Sequence, residues 1–223
     1  MRKLCFLAIM LVISMTGCAS KVTKGYAPPP KTDSTISHTI NAPFDDVWHA
    51  AIETLGTQFF EITHVEKESG LLTFSYSSSA DPSEFIDCGT ASIIETDPYG
   101  KTSEYHYKPE AQNVRISYRV YRGLIEYYTA TYEQSSRVAI KTNLVFKKTG
   151  ASQTTVSAAS QYTLTMQNNR KIQVAPDVFQ APPPDVVNFS TTEPSHTAQG
   201  MQCVSKHTFE SSLIKQIEAK IKK

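Results

Sequence analysis

The residues of this chain that could do covalent chemistry are its four cysteines, Cys5, Cys18, Cys88 and Cys203. A cysteine sulfur can attack an electrophile, bind a metal, pair with a second sulfur or carry a lipid. Cys5 lies inside an apolar run near the start of the chain, Cys18 closes that run, and Cys88 and Cys203 lie far beyond it. Their positions therefore predict different uses of the sulfur atom.

The first residues have the pattern of a secretory signal. Arg2 and Lys3 precede an apolar run from Leu4 to Met15, which is shorter than the ~20 residues that span a bilayer. A charged start, a short apolar core and small residues at the end are typical of an exported chain. We therefore expect residues 1–17 to be a signal peptide.

The residues Met15-Thr16-Gly17-Cys18 end this run and resemble the bacterial lipobox, in which small residues precede a cysteine. The resemblance implies cleavage before Cys18, which then carries lipid on its sulfur and on its new amino group, including palmitate. Several acyl chains make a stable anchor, since each buried CH₂ contributes ~0.8 kcal/mol. The resemblance also implies, by the sorting rules of such lipoproteins, that Ala19 at the next position, instead of Asp, favours the outer membrane over the inner one. An ordinary signal peptide with an incidental Cys18 is the alternative.

Cys88 and Cys203 remain as a lone pair in the exported chain. In an oxidising compartment such a pair predicts a disulfide. Two free thiols, or half of a metal site, are the alternatives. The bridge would close a loop of roughly a hundred residues, which is worth on the order of 4 kcal/mol in the chain-entropy model.

No catalytic or metal-binding pattern accompanies the cysteines. The six histidines have no spacing that matches a carboxylate or cysteine partner. No serine lies in a Gly-x-Ser-x-Gly motif, and Asp87-Cys88-Gly89 loses its nucleophile if Cys88 is oxidised. We predict a protein without catalytic residues, metal or cofactor, so not an enzyme. An envelope hydrolase with an unrecognised site is the alternative.

Tyrosine and arginine are concentrated in one part of the chain. Eight of the eleven tyrosines lie from Tyr99 to Tyr132. Both residue types are enriched at interface hot spots, and an arginine gains cation–π attraction over a tyrosine ring. We predict a face that binds a partner protein or polysaccharide, formed by Arg115, Arg119, Tyr121 and Arg122. The alternative is that tyrosines are here as good strand residues and arginines as cover for an outer face.

The charge balance argues against nucleic acid as a partner. The chain has 22 basic and 21 acidic residues, and removal of Arg2 and Lys3 with the signal peptide leaves 20 basic residues. Nucleic-acid binding needs an excess of positive charge on one surface to neutralise phosphates. We therefore expect no nucleic-acid partner.

A flexible segment is expected after the lipid. Residues 18–37 contain Pro28-Pro29-Pro30 and few large apolar side chains, so they cannot bury a core. We predict a disordered tether that holds the folded part away from the lipid surface.

Residues 38–223 are predicted to form one α+β domain. Apolar residues at spacings of three and four from Phe44 to Leu55, and again within Thr208–Ile221, predict two amphipathic helices. Trp48 falls in the first apolar stripe and is expected in the core. We expect an antiparallel β-sheet packed on both helices.

The strands of this sheet follow from alternation and from turn residues. Five of the twelve prolines lie in Gln167–Gln202, which predicts a long irregular loop. The segment Asp97–Asn113 is polar and is predicted to be rich in turns. The predicted strands are Ser37–Ile40, Phe59–Val65, Leu71–Tyr76, Thr90–Glu95, Val114–Tyr121, Leu124–Tyr132, Val138–Phe146 and Val156–Met166.

The segment Asn41–Thr73 resembles bacterial lipoproteins of helix-grip architecture. The segment covers about a seventh of the chain, and the matching residues within it are Ala42-Pro43-Phe44-Asp45-Asp46-Val47-Trp48 and Glu66-Lys67-Glu68-Ser69-Gly70-Leu71-Leu72. The group includes the C lipoprotein of the outer-membrane β-barrel assembly machinery. The resemblance implies a helix-grip-like domain and a non-enzymatic role in an envelope assembly.

Together these features predict an outer-membrane lipoprotein whose domain faces the periplasm. The expected function is an interaction or assembly module of the bacterial cell envelope. Its expected partners are the membrane, through the lipid anchor, and an envelope protein complex. The alternative is a periplasmic carrier or sensor of a small apolar ligand or lipid, held between helix and sheet.

Overall fold

The computed structural model describes residues 21–30, 36–58, 60–78, 80–169, 172–175, 178–180, 182–193, 195–196 and 200–222. The predicted signal peptide and Cys18 lie outside these ranges. Neither helix in the described ranges has the length and apolar character required to cross a bilayer.

The predicted α+β class with a mainly antiparallel sheet is confirmed. Two helices are formed, α1 (Phe44–Thr57) and α2 (Thr208–Ile221), and a short 3₁₀ helix covers Pro82–Glu84. The strands are β1 (Lys21–Ala27), β2 (Ile36–Ile40), β3 (Glu61–Glu66), β4 (Leu71–Ser77), β5 (Ile86–Asp87), β6 (Thr90–Thr96), β7 (Thr102–Tyr107), β8 (Asn113–Arg122), β9 (Glu126–Gly150), β10 (Gln153–Asn168), β11 (Ile172–Ala175), β12 (Val178–Gln180), β13 (Asp185–Ser190), β14 (Ser195–His196) and β15 (Gln202–Ser205).

The described residues form two compact units. The larger, the sheet–helix unit, comprises the described residues of 26–91, 107–115 and 132–222. The smaller, the hairpin unit, comprises 21–25, 92–106 and 116–131.

The sheet–helix unit is built around strand β10, which pairs antiparallel along its length with residues 134–150 of β9. Strands β4 and β3 continue the sheet beyond β9, and β13 and β2 pair with β10. The predicted inward faces of β9 and β10 are both buried, as the alternating patterns require. These buried residues are Val138, Ile140, Thr142, Leu144 and Phe146 on β9, and Val156, Ala158, Ser160, Tyr162, Leu164 and Met166 on β10.

Both predicted helices form and bury their apolar stripes against this sheet. Asp45 and Asp46 lie in the first turn of α1, where the helix dipole stabilises negative charge. Trp48 is in the core, as predicted, with its ring 5.2 Å from that of Phe146 in an edge-on arrangement. The helices also contact each other. The helices contribute Val47, Trp48, Ala51, Leu55, Leu213, Ile214 and Ile217 to the core.

The predicted tether of residues 18–37 is wrong over Lys21–Ala27, which forms β1 and pairs with β6. The folded part therefore begins before residue 38. The Tyr26 hydroxyl accepts a hydrogen bond from the Gln202 backbone N–H at 2.8 Å and donates one to its carbonyl at 3.0 Å. These contacts join residues far apart in sequence, so local composition cannot indicate them.

The predicted irregular loop Gln167–Gln202 is also wrong, because it contains β11 to β14. Strand β13 completes the sheet beside β10, where Phe189 lies opposite Tyr162 and their rings stack at 5.1 Å. Strand β13 has only six residues, so its alternation of apolar and polar side chains is short. The prolines on either side of it are more typical of a loop. The segment Asp97–Asn113 likewise contains β7. The predicted strands Leu124–Tyr132 and Val138–Phe146 belong to one strand, β9, except that Leu124 and Ile125 lie in the turn before it.

The predicted disulfide between Cys88 and Cys203 is confirmed. It lies where β5 and β15 pair, with Val204 opposite Asp87, and both cysteines are fully buried. Gly89 follows with φ +80°, and a Cβ there would come within 2.2 Å of the Ala27 carbonyl oxygen. Glycine is therefore required for the end of β1 to pack against the bridged turn.

Candidate functional site

The candidate binding surface is the tip of the β8–β9 hairpin, defined as residues 119–128. The two strands are joined by a turn over Gly123–Ile125. Gly123 has φ +80°, a left-handed conformation that glycine adopts without steric cost. The turn projects Leu124 and Ile125 beyond the paired strands.

Two arginines of the hairpin tip lie over tyrosine rings of the opposite strand. The Arg119 guanidinium is 5.1 Å from the Tyr127 ring centre, and that of Arg122 is 5.2 Å from the Tyr128 ring centre. The Tyr121 and Tyr127 rings are 5.6 Å apart. Cation–π attraction and ring contact therefore fix the spacing of these side chains across the hairpin.

The charge on Arg119 is held by its neighbours. A hydrogen bond with the Tyr121 hydroxyl raises the pKa of Arg119 above its already high ordinary value. The backbone N–H of Arg119 donates to Oε2 of Glu95 at 3.1 Å. Glu95 lies on β6 in the same unit, so this bond fixes β8 at the base of the hairpin tip.

The apolar side chains of the hairpin tip are exposed. Ile125 is 82% exposed and Leu124 is 56% exposed, and Tyr127 and Tyr128 are each about half exposed. A shallow concavity of about 500 Å³ is lined by Arg122, Ile125, Glu126, Tyr127 and Tyr128. An exposed apolar cluster with a polar rim is typical of an interaction surface.

The structure brings three of the four predicted binding residues together. Arg119, Tyr121 and Arg122 lie at the hairpin tip, whereas Arg115 belongs to the sheet–helix unit and pairs with Glu133 at 3.1 Å. That these residues bind a partner stays a prediction. The sequence prediction missed Leu124, Ile125, Tyr127 and Tyr128. For Leu124 and Ile125, the position directly after Gly123 was the available signal, because a turn there leaves its apolar residues without strand neighbours.

A second cluster of polar residues is buried between β10 and α2. The Tyr162 hydroxyl donates to Oε1 of Glu210 at 2.7 Å and accepts from the Ser205 hydroxyl at 3.1 Å. Burial raises the pKa of Tyr162, so its hydroxyl stays protonated and remains a donor. Tyr162 and Glu210 have no exposed surface, so we assign these bonds a structural role, linking helix to sheet.

An aromatic pocket of about 160 Å³ lies beside α2 in the sheet–helix unit. The Phe209 ring stacks on Tyr76 at 5.5 Å and meets Phe85 edge-on at 5.9 Å. Phe60 contacts both Tyr76 and Phe209. The pocket is therefore small and largely aromatic, with polar side chains from α2 and from Gln58 at the end of α1. Its lining residues are Gln58, Phe60, Tyr76, Phe85, Thr208, Phe209, Ser212, Leu213 and Gln216.

Glu110 is a fully buried carboxyl group in the sheet–helix unit. Burial raises its pKa, and the negative charge of Asp87 acts in the same direction. The Glu110 and Cys88 backbone N–H groups and Lys108 oppose this shift. Lys108 itself pairs with Asp87 at 3.1 Å.

The Glu110→Gln variant should be more stable than the parent at pH 7.5 and nearly equal to it at pH 4. Above the ordinary glutamate pKa the unfolded chain releases a proton that the folded chain retains, so the parent loses stability as pH rises. We expect a gain that is absent at pH 4 and grows as pH rises above the ordinary glutamate pKa. Thermal unfolding of both proteins across this pH range measures it. A difference that is independent of pH would contradict the prediction.

Among the residues that the structure describes, no three His, Cys, Asp or Glu side chains are grouped so as to hold a metal ion. Comparison with protein-family models finds no match to this chain. Comparisons with curated proteins and with solved structures likewise find no significant match.

Proposed function

We propose that this chain is a lipoprotein of the bacterial outer membrane whose folded part, facing the periplasm, is a non-enzymatic interaction module of the cell envelope. The observation that carries the proposal is the hairpin tip, where exposed Leu124 and Ile125 lie beside arginines stacked on tyrosines. Tyrosine and arginine are enriched among the residues that supply most of the binding energy at interfaces. The module would dock within an envelope assembly.

The disulfide supports the export of this chain. Cys88 and Cys203 are bridged and fully buried, and such bridges persist mainly in oxidising compartments such as the bacterial periplasm. A signal peptide over residues 1–17 would deliver the chain there.

The position of β1 supports close attachment to the membrane. Only Ala19 and Ser20 separate Cys18 from Lys21, the first residue of β1. At ~3.3–3.6 Å per residue this stretch spans about 10 Å at most. A lipid on Cys18 would therefore hold the hairpin unit against the bilayer, not at the end of a long tether.

We also infer a helix-grip type of packing for the sheet–helix unit. Helices α1 and α2 contact each other, and both contact β10. This arrangement is consistent with the resemblance of Asn41–Thr73 to helix-grip lipoproteins. This packing supports the fold assignment. It does not identify a binding partner, because a fold does not determine function.

The second candidate function, a carrier or sensor of a small apolar ligand, is supported by the aromatic pocket beside α2. Its volume of about 160 Å³ is below the ~300–1,000 Å³ of typical ligand sites. We therefore rank it after the interaction module. Organic extraction of the purified protein, followed by mass spectrometry, would favour the carrier if a bound ligand is recovered in stoichiometric amount.

The Cys18→Ser variant should be released from the membrane. Loss of the acyl chains removes the anchor, so we expect most of the protein in the soluble periplasmic fraction and no palmitate incorporation. Cell fractionation and labelling with radioactive palmitate measure both. The Cys5→Ser variant is the matched control and should behave as the parent. Unchanged labelling of the Cys18→Ser variant would refute the anchor, and an ordinary secreted protein would be the conclusion.

Crosslinking in the intact envelope tests the interaction module. A photo-crosslinking residue at Tyr128, in the hairpin tip, is compared with one at Val186, which is 52% exposed and lies in the sheet–helix unit. We expect reproducible adducts with an envelope component from position 128 only. Adducts from neither position would count against the proposal.

A further inference from the structure

The exposed apolar side chains of the hairpin tip are concentrated in a short stretch. Ten large apolar side chains are exposed in the described part of the chain, and four of them fall between positions 124 and 128. Most of the others lie singly, as is normal for a protein surface. The clustering of exposed apolar side chains at the hairpin tip is therefore unusual for a protein surface, and it requires an explanation.

The side chains of the hairpin tip are ordered by polarity along its length. Leu124 and Ile125 form the apex, and Arg122 and Glu126 flank the turn directly. The guanidinium groups of Arg119 and Arg122 lie farther from the apex, over the rings of Tyr127 and Tyr128. A phospholipid bilayer has the same order of layers. Apolar side chains enter its acyl region, tyrosines favour the interface, and arginines reach phosphate groups.

The hairpin tip also has a small excess of positive charge. Arg119 and Arg122 are opposed only by Glu126 within residues 119–128. This charge suits a surface with anionic headgroups. This net charge is too small to hold the protein on such a surface unless apolar side chains also insert, since each basic residue contributes little by itself.

We propose that the hairpin tip inserts into the phospholipid bilayer surface that carries the Cys18 lipid. This inference rests on the part of the proposed function that anchors the chain to the membrane through Cys18, and it names a lipid surface as the partner of the hairpin tip. The short distance from Cys18 to Lys21 supports it, because β1 and the hairpin tip belong to the same compact unit. The lipid and the hairpin tip would then be two membrane contacts of one unit, and two contacts bind far more tightly than one.

The test uses the mature chain, residues 18–223, with Cys18→Ser, so that binding does not depend on the lipid. The protein is sedimented with vesicles of phosphatidylethanolamine that contain a minority of phosphatidylglycerol. We expect measurable binding, and the Leu124→Ser/Ile125→Ser variant should lower the partition coefficient roughly tenfold or more, because two apolar side chains no longer leave water.

The matched control is the Val65→Ser/Val186→Ser variant, which replaces two valines that are each about half exposed in the sheet–helix unit. It should bind vesicles as the parent does. Thermal unfolding must be alike in the parent and both variants. If the serine pair at 124 and 125 binds as tightly as the parent, or if the parent does not bind, the proposal is wrong.

Insertion has a separate spectroscopic readout. An Ile125→Trp variant should show quenching by brominated lipid, whereas a Val145→Trp variant, at a 44% exposed position of β9, should not. Trp48 is buried in both and contributes equally. If position 125 is not quenched and the Tyr128 crosslink captures a protein, the hairpin tip binds that protein instead. That outcome would reject the lipid proposal and leave the interaction module standing.

Discussion

Replacing Cys88 and Cys203 together with alanine is expected to lower the free energy of unfolding by about 4–5 kcal/mol, which is the value that the chain-entropy model gives for a loop of this length. The bridge joins residues 115 positions apart, so the unfolded chain without it gains many conformations. The melting temperature should fall by about 10 °C or more. Thermal unfolding without reductant measures the loss.

The reduced parent is the control for this variant. Reductant should shift the parent's melting temperature toward that of the double variant and leave the variant unchanged. Because Cys88 and Cys203 are fully buried, reduction is expected only near the unfolding transition. A double variant that melts within about 2 °C of the oxidised parent, a shift of less than about 1 kcal/mol, would contradict the prediction.

The Phe209→Ala variant should lose about 3–5 kcal/mol of stability, the usual cost of removing a buried phenylalanine ring. Phe209 is the centre of an aromatic cluster in which its ring contacts Tyr76, Phe85, Phe60 and Phe74. The truncation removes these contacts at once, and it leaves a cavity next to the existing pocket. Urea unfolding gives the difference in free energy.

Phe209→Leu is the matched control, because it keeps an apolar side chain in most of the space. Its loss should be well below that of the alanine variant, about half or less. Equal losses in the two variants would show that stability depends on the ring contacts and not on the filled volume. A loss below about 1 kcal/mol in the alanine variant would contradict the assigned burial of Phe209.

The sequence predicts the elements whose patterns are local and repeated. Helix α2 was predicted with the bounds it has, because its apolar stripe recurs at every turn. The inward faces of β9 and β10 follow equally well from alternation. Strands β1 and β13 could not be predicted in this way. Their stability comes from pairing with β6 and β10, and the prolines beside them suggest loops.

Part of the candidate site was predictable from composition. The concentration of tyrosine and arginine pointed to Arg119, Tyr121 and Arg122. Composition could not separate Arg115 from them, because that separation depends on the ion pair with Glu133. The alternation of apolar and polar residues also could not show that the Ile125 side chain is exposed in the turn.

The attachment of Tyr26 to Gln202 has a mechanical consequence. Any force applied to the chain before Lys21 enters strand β1 and reaches the two hydrogen bonds between the Tyr26 hydroxyl and the Gln202 backbone. The next residue is Cys203, whose covalent bond to Cys88 cannot extend. Tension from a membrane would therefore act first on the pairing of β1 with β6 and on these two hydrogen bonds, directly beside the bond that keeps Cys203 joined to Cys88.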